Sequence, residues 1–292
     1  MAAYTLEDTP APTGGGLMTI SDEEFALLRG LIYQRFGINL TEQKRSLLVG
    51  RLQKTLRQQG IDSFRAYHEY LVTDRSESGL SELVDLISTN HTYFNREAAH
   101  FEFFQKTALP QAIQALRSKG RKDLRIWCAG CSTGEEPYTL QMLMLEVLGA
   151  DYRNWDAGIL ATDISDRALS IARQGVYPNE RVQALPEALR RKYFRKVDGD
   201  NWEVAAEVKK EVLFRRLNLM NSSFPFKKPF QIIFCRNVMI YFDQPTRDAL
   251  VQRFCNATEP QGYLFIGHSE TLGRKQGIYD YIQPALYRKG GA

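Results

Sequence analysis

From Thr19 to about Ser88 the apolar residues recur at helical spacing. Ser21 with Glu24, just ahead of Phe25, Leu27, Leu28, Leu31 and Ile32, predicts a capping box that opens a first helix. Further helices are expected at about 41–59, 63–72 and 78–89, with Gly37, Gly60 and Asp74 in the breaks, and a longer one from about Glu97 to Lys119 ends at Gly120. After Lys122 the rhythm changes to strand and helix in alternation. Strands are predicted at 124–130, 157–161, 212–219, 230–235 and 262–267, and helices at 135–148, 166–174 and 245–257. The run Phe230-Gln231-Ile232-Ile233-Phe234, bounded by Pro229, has the short, uninterrupted apolar character of a strand buried on both faces. Such alternation implies an α/β fold with a doubly wound, mostly parallel sheet.

Three segments organise the chain. Residues 1–17, rich in Ala, Thr, Pro and Gly, read as a disordered tail. Residues 18–90 form an N-terminal helical domain and 91–292 the α/β domain. Within the latter, the charged stretch 175–211 is too long for a simple connection and implies an inserted subdomain or lid.

Composition narrows the classes. At 292 residues with 43% hydrophobic content the chain has enough apolar surface for a proper core. No apolar run nears the roughly 20 residues of a spanning helix, and Met1 to Gly16 has no secretory pattern, so a cytoplasmic location without membrane insertion is expected. The net charge of +4 does not call for a nucleic acid. Its distribution says more: Lys44, Arg45, Arg51, Lys54 and Arg57 gather on the helix at 41–59 while Leu48, Leu52 and Leu56 form its apolar stripe. That basic face is a candidate docking surface for an acidic partner. The four cysteines read as reduced thiols, and the lone Cys128-x-x-Cys131 lacks the second pair or His ligands of a metal site, so no metal is expected.

The chemistry gathers at strand ends. Arg236 and Asn237 fall just past the strand at 230–235, where an open α/β sheet binds its ligands. The first strand runs into Gly130-Cys131-Ser132-Thr133-Gly134-Glu135-Glu136, whose glycine spacing is neither a dinucleotide fingerprint nor a phosphate loop. Two acids at a helix start would repel a pyrophosphate but suit a ligand with local positive charge, such as S-adenosylmethionine. Asp163, at the tip of the second strand, is placed to accept from both hydroxyls of a ribose.

Asn90-x-Thr92-x-x-x-Arg96, Gly134-Glu135-Glu136-Pro137-Tyr138, Asp163, Asn218-Leu219 and Arg236-Asn237-Val238-x-Ile240-Tyr241-Phe242 together resemble the CheR family over about residues 19–289. Those proteins are S-adenosylmethionine-dependent methyltransferases that esterify glutamate side chains of bacterial chemoreceptors. The resemblance implies a Rossmann-like methyltransferase sheet, with S-adenosylhomocysteine as the product of the cofactor. It implies cofactor contacts from Asn90, Thr92, Arg96, Glu135, Asp163, Asn218, Leu219, Arg236 and Asn237, with Arg96 and Tyr241 bordering the methyl group. It also implies that the helical domain docks receptors and that the basic face meets their acidic methylation helices.

A glutamate carboxylate is already ionised at neutral pH, so no general base is needed, and His91 and His268 are expected to be structural. Family members that anchor to a receptor's C-terminal pentapeptide are typified by a Gly-Thr-Gly-like turn in the inserted subdomain. Here Val197-Asp198-Gly199-Asp200-Asn201-Trp202 stands there, which implies independence of that tether. Two other readings are a methyltransferase acting on a small molecule or RNA, and a non-catalytic sensor that binds the cofactor.

Overall fold

The computed structural model describes residues 18–272 and 278–290, so the tail at 1–17 lies outside the described residues. Four helices come first: α1 (Asp22–Phe36), α2 (Arg45–Gln58), α3 (Phe64–Thr73) and α4 (Ser78–Ile87). The Ser21–Glu24 capping box is formed at α1, which ends at Gly37 with φ of 70°. Phe25, Leu28, Leu48, Leu52, Leu56, Tyr67 and Leu83 bury one another in a core belonging to these helices.

The long helix expected at 97–119 is broken. It runs as α5 (Ala98–Phe103), a π-helical stretch at Phe104–Ala108, and α6 (Leu109–Ser118). Pro110 has no N–H to return to the preceding turn, so the chain widens there before continuing. The α/β domain then follows as β1 (Asp123–Ala129), α7 (Glu135–Leu148), β2 (Asp156–Asp163) and α8 (Asp166–Gln174). Next come β3 (Val176–Pro178), α9 (Asn179–Val182), α10 (Glu187–Tyr193), β4 (Phe194–Lys196), β5 (Asn201–Val204) and α11 (Ala206–Lys209). The chain closes with β6 (Val212–Arg216), β7 (Phe230–Cys235), α12 (Gln244–Ala257), β8 (Thr258–Ile266), β9 (Tyr279–Gln283) and β10 (Leu286–Lys289).

The main sheet has the order β6-β2-β1-β7-β8-β10-β9, and β3, β5 and β4 make a separate antiparallel sheet. Strands β6, β2, β1, β7 and β8 are parallel, while β10 runs antiparallel to both its neighbours. Both faces are covered: on β1, Leu124, Ile126 and Cys128 enter one core, and Trp127 and Ala129 the other. Strands β9 and β10 had not been expected from the sequence, because their charged and half-exposed residues show no apolar run. Strand order reverses between β1 and β7, which makes their carboxyl ends the topological switch point.

Candidate functional site

A cavity of about 280 Å³ opens at that switch point, between the helical domain and the sheet. Its wall takes Phe36, Ile38, Leu40 and Lys44 from one side, and the ends of β1, β2 and β7 from the other. Two wall residues, Ser132 (48°) and Asn237 (58°), are non-glycines with positive φ, and Asn95 (59°) and Glu97 (57°) flank the wall residue Arg96 in the same conformation. Such conformations persist only where packing over-determines them, and they concentrate at ligand sites.

Asp163 lines the cavity and is 8% exposed. Each of its oxygens already accepts one backbone N–H, from Ser132 (2.7 Å) and Ser165 (2.9 Å). Burial pushes its carboxyl above the usual range, and those backbone donors oppose the shift. Gly134 is required in the loop below: its φ is 99°, and a Cβ there would lie 2.8 Å from the Tyr177 hydroxyl and 2.9 Å from Ala172. The Tyr177 hydroxyl also donates to Thr133 O at 2.6 Å, so the inserted segment braces the glycine loop from behind. Among the described residues none from 176–211 lines the cavity, and this segment meets the site through its contact with the glycine loop.

The two acids at the start of α7 divide in a way the sequence did not show. Glu135, expected at the cofactor, is fully buried, bonded to Thr133 Oγ1 (2.7 Å) and to Arg181 Nη1 (2.8 Å), and absent from the cavity wall. Glu136 takes the wall position and pairs with Arg236. Both acids are thus paired with arginines, and of the two only Glu136 lines the cavity.

Arg236 is also differently employed. Its side chain is 2% exposed and pairs with Glu136 and, at 3.0 Å, with Glu97; it further donates to the carbonyl of Arg96 and lies 5.3 Å over the ring of Phe101. Arg236 and Asn237 both line the cavity, and the Arg236 guanidinium, paired with protein carboxylates, joins the loop 88–97 to α7. The two carboxylates hold its charge in place against burial. Asn237 follows, its Nδ2 donating to Glu97 (3.3 Å) and its backbone N–H to Glu270 (3.0 Å).

Asn90, Thr92, Arg96, Asn218, Leu219 and Tyr241 all line the cavity. Arg96 is anchored by a bond to His91 O (2.9 Å) and lies 5.9 Å over the Tyr93 ring, with no carboxylate partner among the described residues. The Asn218 amide is engaged across the domain seam, donating to Arg35 O at 2.8 Å. Among the described residues the Tyr241 hydroxyl has no protein partner.

The basic face of α2 is not uniform. Arg45 pairs with Asp22 (2.7 Å) and with Glu42 (2.9 Å), an acid that the reading of a purely basic face passed over. Arg51 turns inward to Ile87 O, Ser88 O and Thr89 Oγ1, tying α2 to the cavity loop. Lys44 faces the cavity, and Lys54 and Arg57 are exposed.

Sequence reasoning missed Glu97 and Glu270, and named Glu136 without its pairing to Arg236. Glu270 is the least legible: it accepts from the N–H groups of Gly267, Asn237 and Ile240, and so fixes the loop after β7. Burial pushes its carboxyl up and those donors pull it down. Ligand atoms of Glu97, His100 and His268 also lie within 4.8 Å of one another. Because Arg236 shares Glu97, a cation there would face a buried guanidinium. Cys128 is buried and donates to Glu136 at 3.1 Å, and burial raises both Cys128 and Cys131 well above the ordinary thiol range.

Two family models match this architecture: the CheR methyltransferase all-alpha domain over residues 23–88 and the CheR methyltransferase SAM binding domain over 90–286. The chain belongs to the CheR methyltransferase family. It is a methyltransferase that uses S-adenosylmethionine on a Rossmann-like sheet. A chemotaxis protein methyltransferase of Borreliella burgdorferi is 43% identical, covering 93% of this chain and 96% of that one. Chemotaxis protein methyltransferase 2 of Pseudomonas aeruginosa is 37% identical over 96% and 98%, and the Escherichia coli chemotaxis protein methyltransferase 36% over 92% and 92%. Among solved structures, a plantazolicin methyltransferase in complex with SAH overlays 74% of this chain and 61% of its own at 15% identity and a TM-score of 0.31, too weak to carry an argument. No helix among the described residues is long and apolar enough to cross a membrane.

Proposed function

We propose that this CheR-family enzyme transfers the methyl group of S-adenosylmethionine to glutamate side chains on the methylation helices of bacterial chemoreceptors, in the cytoplasm, leaving γ-glutamyl methyl esters and S-adenosylhomocysteine. The observation that carries the reading is a cavity built jointly by the helical domain and the switch point, with a buried carboxylate at one place and Arg96 and the unpartnered Tyr241 hydroxyl at another.

The residues present suit the cofactor. Each Asp163 oxygen has one backbone donor and keeps acceptor capacity for a ribose hydroxyl. Leu217, Leu219 and Ile164 supply apolar wall for an adenine. When bound, the cofactor supplies an electrophilic methyl group on a sulfonium. The protein's task is alignment, which contributes on the order of 7–11 kcal/mol in well-oriented reactions. A glutamate with an ordinary pKa near 4.3 arrives ionised, so no side chain takes a proton. Arg96 and Tyr241 then orient the acceptor or the cofactor carboxylate without gripping the attacking oxygen, which would blunt its nucleophilicity. Arg236 and Asn237 act as positioning residues through Glu97, Glu136 and Glu270.

The helical domain, with Lys44, Arg45, Arg51, Lys54 and Arg57, is the docking unit for the receptor; Lys54 and Arg57 form its outer face, and Arg45 and Arg51 shape it from within. The Val197–Trp202 turn, with Asp198 and Asp200 in place of a Gly-Thr-Gly sequence, favours docking without a pentapeptide tether. The function is tested by incubating the enzyme with methyl-labelled cofactor and cytoplasmic receptor fragments. Label released by mild base as methanol is expected; base-stable label assigns another acceptor, and cofactor binding without transfer assigns a sensor.

A further inference from the structure

We propose that Lys44 leaves the docking face to form the acceptor-carboxylate subsite, so that the helical domain supplies the residue that distinguishes a glutamate from a glutamine. This rests on the reading of the cavity as a carboxyl methyltransferase site.

Lys44 stands where a 3₁₀ turn passes into α2, half-buried, with its Nζ 5.4 Å from the centre of the Tyr241 ring. Both residues line the cavity. Its neighbours in sequence are committed elsewhere, Arg45 to Asp22 and Glu42 and Arg51 to backbone carbonyls, whereas among the described residues Lys44 has no carboxylate partner. It shares that state with Arg96, so the cavity holds two cations that protein carboxylates do not neutralise.

The position of Lys44 is set by the seam. The Asn39 N–H donates to Tyr241 O (2.8 Å), the Tyr33 hydroxyl to Asp243 (2.8 Å) and the Asn218 amide to Arg35 O (2.8 Å). The first two bonds bind the segment before Lys44 to the loop that carries Tyr241, and the third ties it to the loop after β6, giving a registration that a freely docking surface cation would not need. Ile38 and Leu47 flank the lysine with apolar wall, suited to the methylenes of an entering acidic side chain.

A carboxylate entering such a cleft loses hydration, and a nearby ammonium offsets that loss. A carboxamide of the same shape receives no such compensation. As the methyl group transfers, the carboxylate loses its charge. Lys44 therefore favours the bound substrate over both the transition state and the neutral ester, holding the first and releasing the last.

The expected signature is a split between KM and kcat. Lys44→Met keeps length and packing; it should raise the acceptor KM about tenfold or more while kcat does not fall and rises modestly, because the interaction lost is stronger in the bound substrate than in the transition state. S-adenosylhomocysteine affinity by calorimetry should not move. In the S-adenosylhomocysteine complex, wild-type enzyme should bind a receptor peptide with Glu at the acceptor position about tenfold more tightly than the same peptide with Gln. Lys44→Met should erase that preference and Lys44→Arg should restore it. An unchanged acceptor KM in Lys44→Met overturns the proposal. So does a retained Glu-over-Gln preference with a KM rise matching that of Lys54→Met, which would return Lys44 to the docking face. Failure of the underlying reading looks different, because the wild-type enzyme itself would then form no base-labile ester.

Discussion

Arg236 concentrates the energetics of the site in one side chain. A guanidinium buried between two carboxylates is costly to assemble and far more costly to break, because removing one partner strands the others. Arg236→Met leaves Glu97 and Glu136 unpaired and should destabilise the fold by ~3–5 kcal/mol, read as a lowered urea midpoint, with cofactor binding lost alongside. The sequence put Arg236 at the cavity but did not show its two carboxylate partners, because spacing does not reveal which of the protein's own acids a cation meets. Glu135 and Glu136 teach the same lesson: neighbours on a helix point about 100° apart, and only the packing of Arg181 and Arg236 decides which one enters the wall.

Among the elements, the loops after β1, β7 and β8 interlock, and Gly267 is one point where they leave no room for a side chain. A Cβ there would come within 2.8 Å of the Asn237 backbone nitrogen, so Gly267→Ala should displace Asn237 and weaken S-adenosylhomocysteine binding measurably by calorimetry while the helical content by circular dichroism is kept. Helix α5 carries a pH dependence. His100 is 1% exposed, and burial with the neighbouring Arg236 guanidinium lowers its pKa to about 4. Below about pH 6.5 the unfolded chain takes up a proton that the folded chain refuses, so stability should fall as pH drops from about 6.5 towards 4. The loss attributable to His100 is about 2 kcal/mol between pH 7 and 5, and urea titrations of His100→Phe should show a correspondingly shallower decline. Helices with caps and strands with both faces buried were legible, since local propensity and burial agree there. The π-helical stretch before Pro110 was not read although the proline that causes it was in view, and the pair β9 and β10 was not, because charged residues interrupt its few buried positions.

For the whole molecule, the seam between helices and sheet is where the helical domain contributes wall to the cavity at the switch point. The sequence indicated two parts and a basic face, but could not tell that Arg51 and Lys44 of that face serve the cavity. Lys54 is exposed on α2, and on the proposed docking role Lys54→Glu should raise the acceptor KM at low ionic strength, with the difference from wild type shrinking above about 0.1 M salt as the Debye length falls below about 10 Å. The central claim, that the interdomain cavity seats the adenosyl cofactor on Asp163 and presents it to Tyr241, is tested most directly by calorimetric titration of S-adenosylhomocysteine into wild-type, Asp163→Asn and Tyr241→Phe proteins. One-to-one binding is predicted, at least about tenfold weaker in Asp163→Asn, where an amide replaces one acceptor oxygen, and unchanged in Tyr241→Phe. Wild-type affinity retained by Asp163→Asn would contradict the account.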